Sequence, residues 1–304
     1  MNDHVTEQRA PRSKALVLGG GGPVGRAWQM GIAAALLAEG VDLRDADLIV
    51  GTSAGAIVGA RLALGLDPIA MNFAADATAA SLPSPEAMAG LQALMAGMIR
   101  AANSPTPEVE RTQIGRMALA APTISEDASL ARETFAAFKG QPWPPSFRAT
   151  TVSTTTGRLK VWDALAGVPL ERAVAASAAL PAMWPPITIG DDRYMDGGVC
   201  SMLNADVASG CVSAVVVSCI DLAARPGAPD AYTTLNKRVL TEIDGLRREG
   251  ATVEIVAPSA AFRELTGNGT RMLDVGLVPD AYVLGQRQAQ ARLEAIRCGW
   301  KKTD

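Results

Sequence analysis

With 304 residues, nearly half of them apolar, the chain has enough material to bury one large α/β core or two small ones. A formal net charge of −3 and the lack of any dense Lys/Arg run exclude the electrostatic footprint of a nucleic-acid surface, so no nucleic-acid partner is expected. No uninterrupted apolar stretch approaches the ~20 residues that span a bilayer, and Cys200, Cys211, Cys219 and Cys298 show no metal-ligand spacing.

The polar opening "MNDHVTEQRAPRSK" lacks the apolar run of a secretory leader, so residues 1–13 are expected to be a lead-in to a cytoplasmic protein with reduced, buried thiols. "KALVL" reads as a strand, Ala27–Glu39 as a helix, "DLIV" as a strand and Ala54–Leu64 as a second helix. Short apolar runs between glycine-rich turns predict a buried parallel sheet with right-handed crossovers. From Asp67 to about Pro145, prolines punctuate helix-like pieces. One of them, "PEAMAGLQALMAGMIRA", puts Met88, Leu91, Met95 and Met98 on one face. That face reads first as a stripe packed on the core, and second as a Met-lined cap over a lipid-binding cleft.

Further on, "FRATTV" and "RLKVW" predict a strand pair around a "TTTG" turn, and "PLERAVAASAAL" predicts a helix. "ITI" and "RYM" predict a hairpin that runs into Asp196. "CVSAVVVSCI" reads as one buried strand holding both Cys211 and Cys219, too far apart along it to bond each other. A charged helix at Ala231–Glu249, a strand "ATVEIV" and a closing helix "DAYVLGQRQAQARLEAIRCGW" complete the chain. The expected fold is α/β: three layers, α/β/α, around a mostly parallel sheet. Residues 14–304 then form a single domain, with 67–145 as a helical insertion or cap.

Two short patterns carry chemistry. "GTSAG", Gly51 to Gly55, matches G-x-S-x-G at a predicted strand-to-helix junction, where a tight turn exposes the Ser53 hydroxyl. The helix that starts there can stabilise negative charge close to its first amides. A serine nucleophile needs a base, and the usual one is histidine. The single histidine, His4, lies in the lead-in, which removes an ordinary Ser-His-Asp arrangement. Asp196, followed by Gly197 and Gly198, is the carboxylate placed most suggestively. Desolvation would raise its pKa and make it a better base, although Asp-Gly is also a common turn dipeptide.

The remaining signal is "GGGGPVG", directly after the first strand. Gly20, Gly22 and Gly25 satisfy G-x-G-x-x-G, the fingerprint of a dinucleotide loop. That site also requires an acid at the end of the second strand. Asp45 lies at about the right distance but precedes the strand, which ends in Gly-Thr-Ser. A nucleotide cradle thus stays an alternative, beside a loop whose amides face a developing oxyanion.

In order, "GGGGPVG", "GTSAG" and "DGG" resemble the three signatures of the patatin-like phospholipases, and "AVAASAALPAMWPPITIGDDRYMDGG" resembles that family's approach to its aspartate. The resemblance implies a lipid acyl hydrolase that works through a Ser-Asp dyad without histidine, metal or organic cofactor. It assigns Ser53 as nucleophile and Asp196 as base. The amides of Gly20, Gly21 and Gly22, with that of Ala54, become the oxyanion hole, and Gly25, Gly51, Gly55, Gly197 and Gly198 support the motifs. Its substrate would be a lipid ester, with transient membrane-surface contact left open. Head group, acyl length and oligomeric state are not encoded in these motifs, and a lipid-binding pseudoenzyme is a further alternative. Two departures are visible: Val24 stands where the family often has a basic residue, with Arg26 the neighbour that could supply the charge, and the spacing from Gly25 to Gly31 is one residue longer than the family pattern implies.

Overall fold

The computed structural model describes residues 14–66, 84–223 and 230–300. From Lys14 to Ala63 the chain runs β1 (Lys14–Leu18), α1 (Gly22–Ala38), β2 (Leu48–Thr52) and α2 (Ala54–Ala63). Four helices follow: α3 (Pro85–Asn103), α4 (Pro107–Ala120), α5 (Glu126–Leu130) and α6 (Glu133–Ala136). Then come β3 (Phe147–Ser153), β4 (Leu159–Trp162), α7 (Leu170–Ser177), β5 (Ile187–Ile189) and β6 (Asp192–Asp196). The last elements are β7 (Ser213–Val217), α8 (Asp230–Arg248), β8 (Thr252–Val256), α9 (Ala260–Leu265) and α10 (Val278–Trp300).

The strands form one sheet of order β5-β6-β3-β2-β1-β7-β8, with β4 also paired to β3. The β1–β2, β1–β7, β2–β3 and β7–β8 pairs are parallel, whereas β4, β5 and β6 run antiparallel to their neighbours. Successive side chains of the central strands enter opposite cores. Leu16, Leu18, Ile49, Val215 and Val217 join one, under α1, α2, α7 and α10. Ala15, Val17, Leu48, Val50, Ala214 and Val216 join the other, under α8. Both faces of the sheet are therefore dry at β1, β2 and β7, which is why these strands read as near-continuous apolar runs, whereas the edge strand β8 is only partly buried. The outcome is the expected mixed α/β sandwich. Among the described residues no helix is long and apolar enough to cross a membrane.

Three local expectations need correction. Helix α1 begins at Gly22, not Ala27, because Gly22 turns the chain at φ 59° and Pro23 is preset for a first helical turn. Cys211 and Cys219 flank β7 instead of lying in it; the Ser218 hydroxyl accepts from the Ile220 amide and donates to the Ile220 carbonyl, which turns the chain off the sheet. All four cysteines are free; Cys211 and Cys219 are buried, but Cys298 on α10 is exposed.

The methionine stripe is the third. Leu94, Gly97 and Ala101 form the buried line of α3, with Leu91 and Met98 partly covered, while Met88 and Met95 are 46% and 40% exposed. Small residues, not methionines, decide the contact. A Cβ on Gly97 would stand 2.8 Å from the Ile114 side chain, and one on Gly90 would stand 2.4 Å from the Ala182 Cβ. The helix thus lies on a third apolar cluster with Val152 of β3 and with Met195 and Val199, which bracket the Asp196 turn.

Candidate active site

Strand register explains how residues 143 positions apart come to touch. Along β3, Thr150 pairs with Thr52 at the end of β2, and the next residue, Thr151, pairs with Asp196 at the end of β6. Strand β4 occupies the other edge of β3 over the same residues. Strands β2 and β6 must therefore meet end to end along a single edge. Ser53 and Asp196 are the residues at that meeting point.

Ser53 sits at φ 55°, ψ −120°, a conformation that costs a non-glycine residue on the order of 1–3 kcal/mol. Packing on either side holds it there. A Cβ on Gly55 would stand 2.1 Å from the Leu18 carbonyl oxygen, and one on Gly51 would stand 2.5 Å from the Ala56 Cα. The glycines of G-x-S-x-G thus let β1 and α2 close on the turn. Gly55→Ala is expected to cost ~3 kcal/mol or more, read as a fall in the denaturant midpoint; an unchanged midpoint would show that the turn can relax.

The Ser53 hydroxyl donates to Asp196 Oδ2 at 2.6 Å, the length of a charge-assisted bond. The other carboxylate oxygen accepts the Gly198 amide at 2.7 Å. Gly197 permits that turn, since its Cβ would lie 2.5 Å from the Thr150 carbonyl oxygen. Asp196 is 2% exposed, and burial pushes its carboxyl up to about 7, against the pull of the bonds from Ser53 and Gly198. An aspartate so placed can take a proton near neutral pH, which an ordinary one at ~3.9 does poorly.

The glycine loop lies beside this pair, with fewer open amides than its sequence offers. Gly20 donates to the Met202 carbonyl at 2.9 Å and Val24 to the Met272 carbonyl at 3.3 Å. Pro23 has no N–H. The expected trio of Gly20, Gly21 and Gly22 thus reduces to Gly21 and Gly22, with Ala54 on the first turn of α2. Two loop amides are too few to wrap a pyrophosphate. Asp45 closes the short turn Leu43–Asp45 ahead of β2, not at the strand's end. Both points weigh against a dinucleotide site. Val24 is fully buried in the core, where a charged side chain would be desolvated. Arg26 does not stand in for that charge at the loop. It is 4% exposed, donates to Thr134, and sits close enough to Arg132 and Arg61 that burial and their charges lower it to about 10.

Sequence reading missed the supports of this arrangement. The buried amide of Asn204 reaches the hydroxyls of Thr52 and Thr150 and the carbonyls of Gly197 and Ser201, tying the serine strand to the aspartate turn. The Ser177 hydroxyl accepts the Ser53 amide at 3.0 Å. Buried Gln29 donates to the Gly19 carbonyl at 2.7 Å and to Cys219 Sγ at 3.1 Å, bracing the loop from inside α1. Polar residues inside otherwise apolar α1 and after "DGG" were the available signal. His4 lies outside the described residues.

A family model described as patatin-like phospholipase matches residues 16–209, which include the glycine loop, the serine turn and the aspartate turn. The chain belongs to the patatin-like phospholipase family. Patatin-like architecture accordingly describes the sheet and its flanking helices. Among solved structures, VipD from Legionella pneumophila is similar over 95% of this chain and 75% of its own, at 12% identity and TM-score 0.42. The type III effector protein ExoU is similar over 92% of this chain and 54% of its own, at 17% identity and TM-score 0.37. No curated protein matches.

Proposed function

We propose that this patatin-like protein is a serine acyl hydrolase that cleaves carboxylic ester bonds of lipids through Ser53 and Asp196. The observation that carries the reading is the 2.6 Å bond from a strained, half-buried serine to a buried aspartate with a raised pKa. As the Ser53 oxygen attacks the ester carbonyl, its proton passes to Asp196. The resulting oxyanion faces the amides of Gly21, Gly22 and Ala54, and Asp196 returns the proton to the departing alcohol. Water, activated by the same carboxylate, then attacks the acyl-serine and releases the fatty acid. Asn204 and Gln29 act by holding the two turns and the loop in place; each preorganised oxyanion donor among Gly21, Gly22 and Ala54 is worth about 10²–10³ in rate.

Residues 14–304 act as one catalytic domain in this reading, since β7 and β8 extend the same sheet as β1. The 67–145 segment acts as a cap; its described helix α3 packs beside the Asp196 turn. The free cysteines fit a reducing, cytoplasmic setting. Fatty-acid release from phosphatidylcholine vesicles and from a soluble butyrate ester, with EDTA present, tests the function. Hydrolysis of both supports a lipid hydrolase; hydrolysis of neither overturns it.

Because the carboxyl must be ionised to accept the serine proton, kcat/KM should rise with pH, reach half its plateau near 7, and stay high above it. A profile already flat in mildly acid solution would contradict the raised Asp196.

A further inference from the structure

We propose that Met202 sets which esters reach Ser53, by filling the space beside the dyad on the side of the departing alcohol; this rests on the ester-hydrolase reading above. The Met202 carbonyl accepts the Gly20 amide, and its side chain folds back over the same glycine. A Cβ on Gly20 would stand 3.0 Å from Met202 Cε, 3.8 Å from its Sδ and 3.4 Å from the Ser53 Cβ. A Cβ on Gly198 would stand 3.3 Å from the same sulfur and 2.9 Å from Asp196 Oδ1. The methylthio group therefore lies between Gly20, whose Cβ position borders Ser53, and Gly198 of the aspartate turn. Met202 is half-buried and packs only partly on the core beneath it.

Chemistry fixes which half of the substrate meets this group. Asp196 must protonate the leaving oxygen, so the alcohol lies on the aspartate side of the attacked carbon, where the sulfur lies. The acyl chain leaves the carbon in another direction. Methionine is unbranched and can yield, at a cost that grows with the bulk pressed against it. Met202 thus favours slender alcohol portions over thick ones without closing the site.

The test holds the acyl group as butyrate and varies the alcohol from ethyl to benzyl to naphthyl. A second series keeps the ethyl alcohol and lengthens the acyl chain. For Met202→Ala, the naphthyl-to-ethyl ratio of kcat/KM should rise about tenfold or more, the scale of discrimination by a few methylenes in an apolar pocket. Met202→Phe should lower that ratio, and Met202→Leu should keep it near wild type. The acyl-series ratios should not move with any of the three. An unmoved alcohol ratio in both Met202→Ala and Met202→Phe overturns the proposal, as does a shift confined to the acyl series. Using both variants guards against one that fails to fold. If wild type cleaves no ester, the reading beneath has failed and this proposal with it; if it cleaves esters and the ratios stay fixed, Met202 alone has failed.

Discussion

Ser53→Ala is expected to lower kcat/KM for ester hydrolysis by ~10⁴-fold or more, the scale seen when the nucleophile of a serine hydrolase is removed. Ser53 is the hydroxyl at the meeting point of β2 and β6, and the Oγ that bonds Asp196 is the atom lost. Alanine keeps the strained backbone but adds no strain, and Gly51 and Gly55 still permit the turn. Thermal unfolding of the variant should therefore stay within a few degrees of wild type, so a large loss of rate cannot be assigned to unfolding. A variant that keeps a tenth or more of wild-type activity would mean that the nucleophile lies elsewhere.

Asp196→Asn should cost about 10³–10⁴ in turnover, because an amide accepts the Gly198 hydrogen bond yet cannot take the serine proton. Its effect on stability has the opposite sign. The carboxyl is raised from 3.8 to about 7 in the fold. Between those values the native state holds a proton that the unfolded chain has lost. Wild-type stability should therefore fall as pH rises across that window, by roughly 4 kcal/mol at 1.36 kcal/mol per pKa unit. Asparagine removes this cost. The variant should unfold at a higher temperature than wild type above pH 7, and the gap should close towards pH 4. Equal unfolding temperatures across the whole range would show that burial does not raise Asp196.

How much of this was legible beforehand follows the locality of each cause. The serine turn and the Asp196 turn were visible because their glycines answer to steric demands, as the contacts of Gly55 with Leu18 and Gly197 with Thr150 show. The glycine loop was visible as a loop, but its donor set was not. Gly20 loses its amide to a carbonyl far away in sequence, and Val24 loses its own to Met272. Arg26 is one residue past the loop, yet the first turn of α1 carries it into the interior towards Thr134. The stripe on α3 shows the limit of periodicity: methionines at helical spacing fit a core face or an open one equally well. Gly90 and Gly97 decided which flank packed, through contacts with Ala182 and Ile114 that no spacing rule reports. Asn204 was hidden for the same reason, since its partners come from β2, β3 and the aspartate turn.

The central claim is that Ser53 is the nucleophile activated by Asp196. Intact-mass and peptide mass spectrometry after treatment with a fluorophosphonate tests it most directly. One adduct per wild-type chain is expected, on the peptide carrying Ser53, with no labelling of Ser53→Ala and much slower labelling of Asp196→Asn. An adduct on another residue, or equal labelling of wild type and Asp196→Asn, would contradict it.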